Sequence, residues 1–442
     1  MSMLFTGGHV VTMDPALGDL PRGDVLVSGE HIVAVGPDLS NHPSALGADV
    51  VDTTGRIVGP GFVDTHRHAW QTQLRRSTPD VTDLGAYVMN TLARIAPAYR
   101  AEDIYVGTRL AALSALDAGI TTMLDFSHNS RTAAHSDAAI RALVDTGVRG
   151  IHASMAPHFG DWDEQWPQDV ERLHAAHSSG LVTVRLATLA TDEVAGPLPA
   201  YGPRLAAVAR DLGIGVSVDA VFGTSSSAAI LGWERDGLLG PEVTLIHATG
   251  LTSQAWRAIG DTGTTVSLAP TSEAQIGLET AVPAVDEALA AGVRPGLSID
   301  VEVALASDMF TQMRALHAIQ RMRAVNAGYG TGAVPHRITT RDVLDFATLQ
   351  GARTNGLGSV TGSLTPGKQA DLIVVNATDV NNMPLNDAVG TLVLGADPRN
   401  IETVVVAGQV RKSGGVLVGV DVARLHEQVV ASRDAILAAA AR

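Results

Sequence analysis

His66 and His68 stand one residue apart in "GPGFVDTHRHAW", a run whose apolar, β-branched texture behind paired glycines predicts a strand. Alternation along a strand puts both side chains on one face. Two imidazoles converging there can share one divalent cation. Two more residues of metal-capable type close apolar runs downstream, His247 in "EVTLIHATG" and Asp300 in "VRPGLSID". The plain alternative for the first pair is two packed or surface histidines. Four such residues at the ends of apolar runs are hard to explain as packing alone.

The elements that must position them follow from the pattern of apolar runs. "IVGPGFVDTH", "GITTMLDFS", "VRGIHASMA", "LVTVRLATLA", "GIGVSVDAV", "EVTLIHATG", "GTTVSLAP" and "VRPGLSID" are eight candidate strands separated by helical stretches. Their spacing, mostly about 20 to 35 residues, is that of βα units with one crossover helix each. Eight units predict an α/β fold, a (β/α)8 TIM barrel, whose chemistry sits at the C-terminal ends of its strands. Short β-branched runs broken by Gly, Pro and Asp occupy both ends of the chain, as in "DVLVSG", "HIVAVG", "ADLIVVN" and "IETVVVAGQV". Their shared texture predicts one small β-sandwich built from both ends. The expected division is 1–57 and 366–442 for the sandwich and 58–365 for the barrel. A terminal helix follows, with Val422, Leu425, Val429 and Ile436 on one face.

Composition limits the partners. A formal net charge of −15 repels nucleic acid and anionic membrane surfaces, so a small neutral or cationic molecule is the expected ligand. Cysteine is absent, which removes disulfides, thiolate metal ligands and cysteine nucleophiles. No window approaches the roughly 20 apolar residues of a membrane span. A cytoplasmic enzyme, as a homo-oligomer, is the expectation.

With these motifs in this order, the sequence resembles the amidohydrolase superfamily, in its branch of cytosine deaminase, guanine deaminase and the triazine hydrolases. The resemblance covers nearly the whole chain and rests on "PGFVDTHRH", "GITTMLDF", "IHATGL", "LSIDVEVALASDMFTQMR" and "GSLTPGKQADLIVVN". It implies one divalent ion, zinc or iron, held by His66, His68, a histidine on strand five and Asp300. Asp300 would accept a proton from water, and His247 would orient that water or polarise the substrate. A bridged pair of ions needs a lysine after strand four. The only lysines, Lys368 and Lys412, lie elsewhere.

Strand five departs from the family pattern. Where relatives read HxHxxE, "GVSVDAVFG" puts Asp219 at the metal-histidine position and Phe222 at the glutamate position. Asp219 shares a face with Ser217 and is expected to point into the barrel mouth as ligand or proton carrier. Glu273, just after strand seven, is the candidate for the missing proton shuttle, expected on the rim. Gln71 is the candidate to hydrogen-bond a heterocycle, and Trp70 to stack on it. Asp308, Met309 and Arg314 are expected to shape the pocket. His128, His152 and His158, without partners in the sequence, read as structural. The expected activity is hydrolysis of a carbon–nitrogen bond in a small uncharged nitrogen heterocycle, a deaminase or aminohydrolase. The alternative is a lyase, isomerase or cyclase on the same barrel, suggested by the replaced strand-five residues.

Overall fold

The computed structural model describes residues 2–178, 180–194 and 196–442. The chain begins with β1 (Ser2–Val10), β2 (Leu20–Ser28), β3 (His31–Gly36), β4 (Asp49–Asp52) and β5 (Arg56–Pro60). It then forms β6 (Phe62–Arg67), β7 (Ile120–Ser127), β8 (Arg149–Ser154), β9 (Val182–Leu189), β10 (Val216–Asp219), β11 (Val243–Ile246), β12 (Thr265–Leu268) and β13 (Gly296–Leu297). These last eight run side by side in sequence order in one parallel sheet.

The sheet closes on itself where the candidate ligands lie. Asp300 N–H donates to His66 O at 2.9 Å, and His68 N–H donates to Asp300 O at 3.3 Å. Inside the barrel, Leu124, Phe126, Ile151, Ala153, Ala187, Leu189 and Ile246 form one buried apolar cluster. Crossover helices pack outside. Two of them, Pro203–Leu212 and Ser253–Thr262, stop at Gly213 and Gly263, whose left-handed φ of 64° and 71° turns the chain toward the next strand.

The returning end contributes β14 (Leu372–Asn376), β15 (Ile401–Val406), β16 (Gln409–Ser413) and β17 (Val416–Leu417). Antiparallel pairing of β14 with β5 joins both chain ends in one nine-stranded sheet. The predicted first barrel strand is thus two strands, β5 in the end sheet and β6 in the barrel. Gly61 separates them. A Cβ there would lie 2.1 Å from the Thr121 hydroxyl oxygen, so the close approach of β6 to β7 requires glycine. In the terminal helix, Val422–Ala440, Leu425 and Ile436 are buried, whereas Val422, in its first turn, is exposed. Among the described residues no helix is long and apolar enough to cross a membrane.

Candidate metal centre and cleft

His66 and His68 leave the end of β6 on one side, and both Nε2 atoms face a single oxygen of Asp300. The distances are 3.2 Å from His66 and 3.1 Å from His68 to Asp300 Oδ1. His247 joins from the end of β11, with Nε2 3.7 Å from Asp300 Oδ2. Ligand atoms of His66, His247 and Asp300 all lie within 4.8 Å of one another. His247 and Asp300 both carry left-handed backbone angles, φ 65° and 66°. Non-glycine residues adopt that region at a cost, and it recurs at functional sites.

Two ion pairs lock the strand ends together beneath this cluster. Arg67, fully buried between the two histidines, donates to Asp64 Oδ2 at 2.8 Å and lies 3.3 Å from Glu302 Oε1. Arg75 adds a second contact to Glu302. Asp64 also accepts from the backbone N–H of Ile299 at 3.1 Å, which ties β6 to the segment after β13. Burial pushes the Asp64 carboxyl up to about 6 against the pull of Arg67.

The hydrogen-bond pattern identifies what the cluster can hold. His68 Nδ1 faces the carbonyl oxygen of Phe126 at 3.3 Å. A carbonyl only accepts, so His68 donates from Nδ1, and in the neutral ring Nε2 bears the lone pair. To meet the carboxylate oxygen of Asp300 without a cation, that nitrogen must carry a proton, and a divalent cation can take the proton's place. Burial lowers His66 to about 3, which keeps its ring neutral. Asp300 stays well below the usual carboxylate range. Burial opposes its charge, but the hydrogen bonds of His66 and His68 and the charge of His247 outweigh that. Two imidazoles and an ionised carboxylate are the donor set of a divalent cation, and they fit one.

The remaining residues fall into place around a cleft at the C-terminal ends of the strands, lined in part by His68, Asp219, His247, Ser272 and Asp300. Asp219 enters it, with Oδ1 buried and without a protein partner. Burial, with Asp300 adding, raises its carboxyl above the ordinary value. Phe222 also lines the cleft, so that wall offers an aromatic face and no carboxylate. The Ser272 hydroxyl donates to Asp300 Oδ2.

Glu273 is not on the rim. It is fully buried behind His247, where Oε1 accepts from the His247 ring at 3.2 Å and from Ala269 N–H at 2.9 Å. The short helix beginning at Pro270 turns the side chain inward. Burial works against a charge on His247, but this hydrogen bond and the Asp300 and Asp219 carboxylates outweigh it and push the ring up to about 9.

Trp70 and Gln71 do not line the cleft either. The turn Ala69–Leu74 buries both completely. Trp70 packs edge-on against Tyr99 and against His128, at ring distances of 4.8 and 5.4 Å. Gln71 donates to the hydroxyl of Tyr87 at 2.6 Å, and it is Tyr87 that lines the cleft. Asp308 caps the helix Met309–Gly328, Met309 is in the core, and Arg314 bonds the carbonyl of Ala396, so none of the three shapes the cleft wall.

Sequence reasoning missed Tyr87, Ser272 and two histidines. His128 and His158 line the cleft with their Nδ1 atoms 3.0 Å apart. The available signal was position, since His128 directly follows β7 and His158 lies in the loop just after β8. His152 behaves as expected of a core residue, buried 3.5 Å from Asp125.

The amidohydrolase family profile matches residues 57–411. The chain is 29% identical to a 5-methylthioadenosine/S-adenosylhomocysteine deaminase of Symbiobacterium thermophilum, over 92% of this chain and 93% of that protein. It is 24% identical to a 5'-deoxyadenosine deaminase of Methanosarcina mazei, over 92% of each. Among solved structures, a zinc-bound adenosine deaminase from Xanthomonas campestris superposes with a TM-score of 0.82 at 22% identity, covering 99% of this chain and 98% of that one. A variant of the atrazine chlorohydrolase of Arthrobacter aurescens, with zinc and atraton, superposes at 0.85 and 22% identity, covering 98% and 100%. Both structural likenesses concern the fold.

Proposed function

The chain belongs to the amidohydrolase family, and from that premise we propose that it is a metal-dependent hydrolase that releases ammonia from a planar, uncharged nitrogen heterocycle. The observation that carries the reading is the convergence of His66 Nε2 and His68 Nε2 on one oxygen of Asp300 in a cleft. The relatives' deaminase names support amine release, and adenine nucleosides are the first class to assay. Those names, and the hydrolase name of the triazine enzyme, count against the lyase, isomerase or cyclase alternative.

His66, His68 and Asp300 would hold one divalent ion, zinc by analogy with the bound ions of the two solved structures. Asp219 stands beside them. When bound, the ion makes water acidic enough to lose a proton near neutral pH. One ion per chain is the stoichiometry of this reading, because β9 carries no lysine and Lys368 and Lys412 bond carbonyls far along the chain.

The residues divide the remaining work. Asp300, its second oxygen bonded by Ser272, accepts the proton of the attacking water. His247, held at Nδ1 by Glu273, presents Nε2–H to the negative charge that develops on the substrate ring. Asp219, the free carboxyl of the cleft, passes a proton to the departing amine in place of the absent strand-five glutamate. Ammonia release by zinc-loaded protein from adenosine, 5-methylthioadenosine, guanine, cytosine and amino-triazines tests the reading. Turnover confined to phosphorylated compounds, or conversion without a hydrolytic product, overturns it.

A further inference from the structure

The His128–His158 pair stands outside the chemistry just described. In the eight-stranded ring, β7 and β8 lie four places from β11 and β12, so the loops carrying these two histidines face His247 and Ser272 across the mouth. A substrate that sets its amine at Asp300 and His247 turns its far edge toward them.

The pair has a built support. A hydrogen bond between two Nδ1 atoms at 3.0 Å requires one ring to donate and the other to accept, so the accepting ring is neutral and carries its proton on Nε2. His128 Nε2 is buried without a protein partner, and its ring packs edge-on between His68, 4.3 Å away, and Trp70. Through Nδ1, His128 braces His158. The loop beyond His158 is clamped by the buried Arg131 guanidinium, which donates to Phe159 O at 2.7 Å and to Asp161 O at 2.9 Å. Gln165 closes the clamp by donating to Ser130 O at 2.9 Å. A side chain held by its own loop and by a second ring loses little freedom when it binds.

We infer that His158, braced by His128, contacts substrate and sets specificity, hydrogen-bonding an uncharged polar group on the edge remote from the amine. His158 offers Nε2–H when its Nδ1 accepts, and a lone pair at Nε2 when its Nδ1 donates, so it suits a hydroxyl, a carbonyl or a ring nitrogen. An anionic group is not matched, because no lysine or arginine lines the cleft among the described residues. Apolar neighbours such as Leu189, Val194 and Leu278 leave few competing polar partners on the cleft wall.

The inference rests on the function proposed above, and its test separates the two. Binding of adenosine, 5-methylthioadenosine, adenine, guanine, cytosine and melamine to the zinc-loaded full chain is measured by calorimetry for wild type, His158→Phe, His158→Gln and His128→Phe. For the best-bound probe, His158→Phe weakens binding at least about tenfold, the loss of one good hydrogen bond. His158→Gln, which keeps a donor and an acceptor, recovers most of it, and His128→Phe falls between. Zinc content stays at the wild-type value in all three. Where the probe is turned over, KM rises while kcat changes by less than about threefold. Unchanged binding in His158→Phe, loss of zinc from it, or a His158→Gln as weak as His158→Phe overturns the inference alone. A wild type that binds none of the probes overturns the functional reading and this inference with it.

Discussion

Glu273 Oε1 lies 3.2 Å from His247 Nδ1, buried on the side of the ring away from the cleft. The carboxylate accepts the Nδ1 proton and thereby fixes which nitrogen faces Asp300 and the substrate. Glu273→Gln keeps the shape and removes the charge. It should lower kcat about 10- to 100-fold with little change in KM or zinc content, since outer partners of this kind contribute effects of that size. Steady-state kinetics with elemental analysis decides. A fall in zinc equal to the fall in rate would assign Glu273 to the metal instead.

Asp219 and Ser217 share one face of β10, but only Asp219 enters the cleft with a free oxygen. Asp219→Ala is expected to cost at least about a hundredfold in kcat, the usual scale of a lost proton-transfer group, and Ser217→Ala only a few-fold. Asp219→His restores a neutral ligand but removes the carboxyl, so zinc affinity should rise while turnover falls. Equal rates for wild type and Asp219→Ala would exclude Asp219 from the chemistry.

Metal content gives a third expectation. Protein produced with added zinc should carry about one ion per chain, the count its single donor set can hold. Dialysis against a chelator should abolish ammonia release, and added zinc should restore it. A content below roughly a tenth per chain, measured alongside full activity, would remove the metal from the reading.

Arg67 concerns stability rather than chemistry. Its fully buried guanidinium is shared by Asp64 and Glu302; Glu302 keeps Arg75, so Arg67→Met strands the buried Asp64 carboxylate. Breaking such a buried pair costs about 3–5 kcal/mol. Loss of the exposed pair Arg172–Asp137 through Asp137→Ala should cost less than about 1 kcal/mol, Arg172 keeping Asp169. Urea unfolding of both variants compares them directly. Equal stabilities would show that solvent or rearrangement compensates Arg67.

Much of this molecule is determined by the sequence alone. Eight apolar runs at βα spacing dictate the barrel, because each strand must be covered by a helix before the next can pair, and the two similar ends of the chain dictate a shared sheet. One-residue spacing brings His66 and His68 to one side, because strand geometry is local. How side chains distant in sequence meet is set by the closed fold. Glu273 is drawn inward because His247 offers a buried donor, and Trp70 and Gln71 are covered because the turn after β6 packs under Tyr87 and Tyr99. His128 and His158, 30 residues apart, become a pair only because β7 and β8 are neighbours and Arg131 holds the loop between them and the solvent. A sequence pattern reports each residue's own strand and face. Which donor finds which acceptor across the mouth depends on closure of the whole ring, which no single segment encodes.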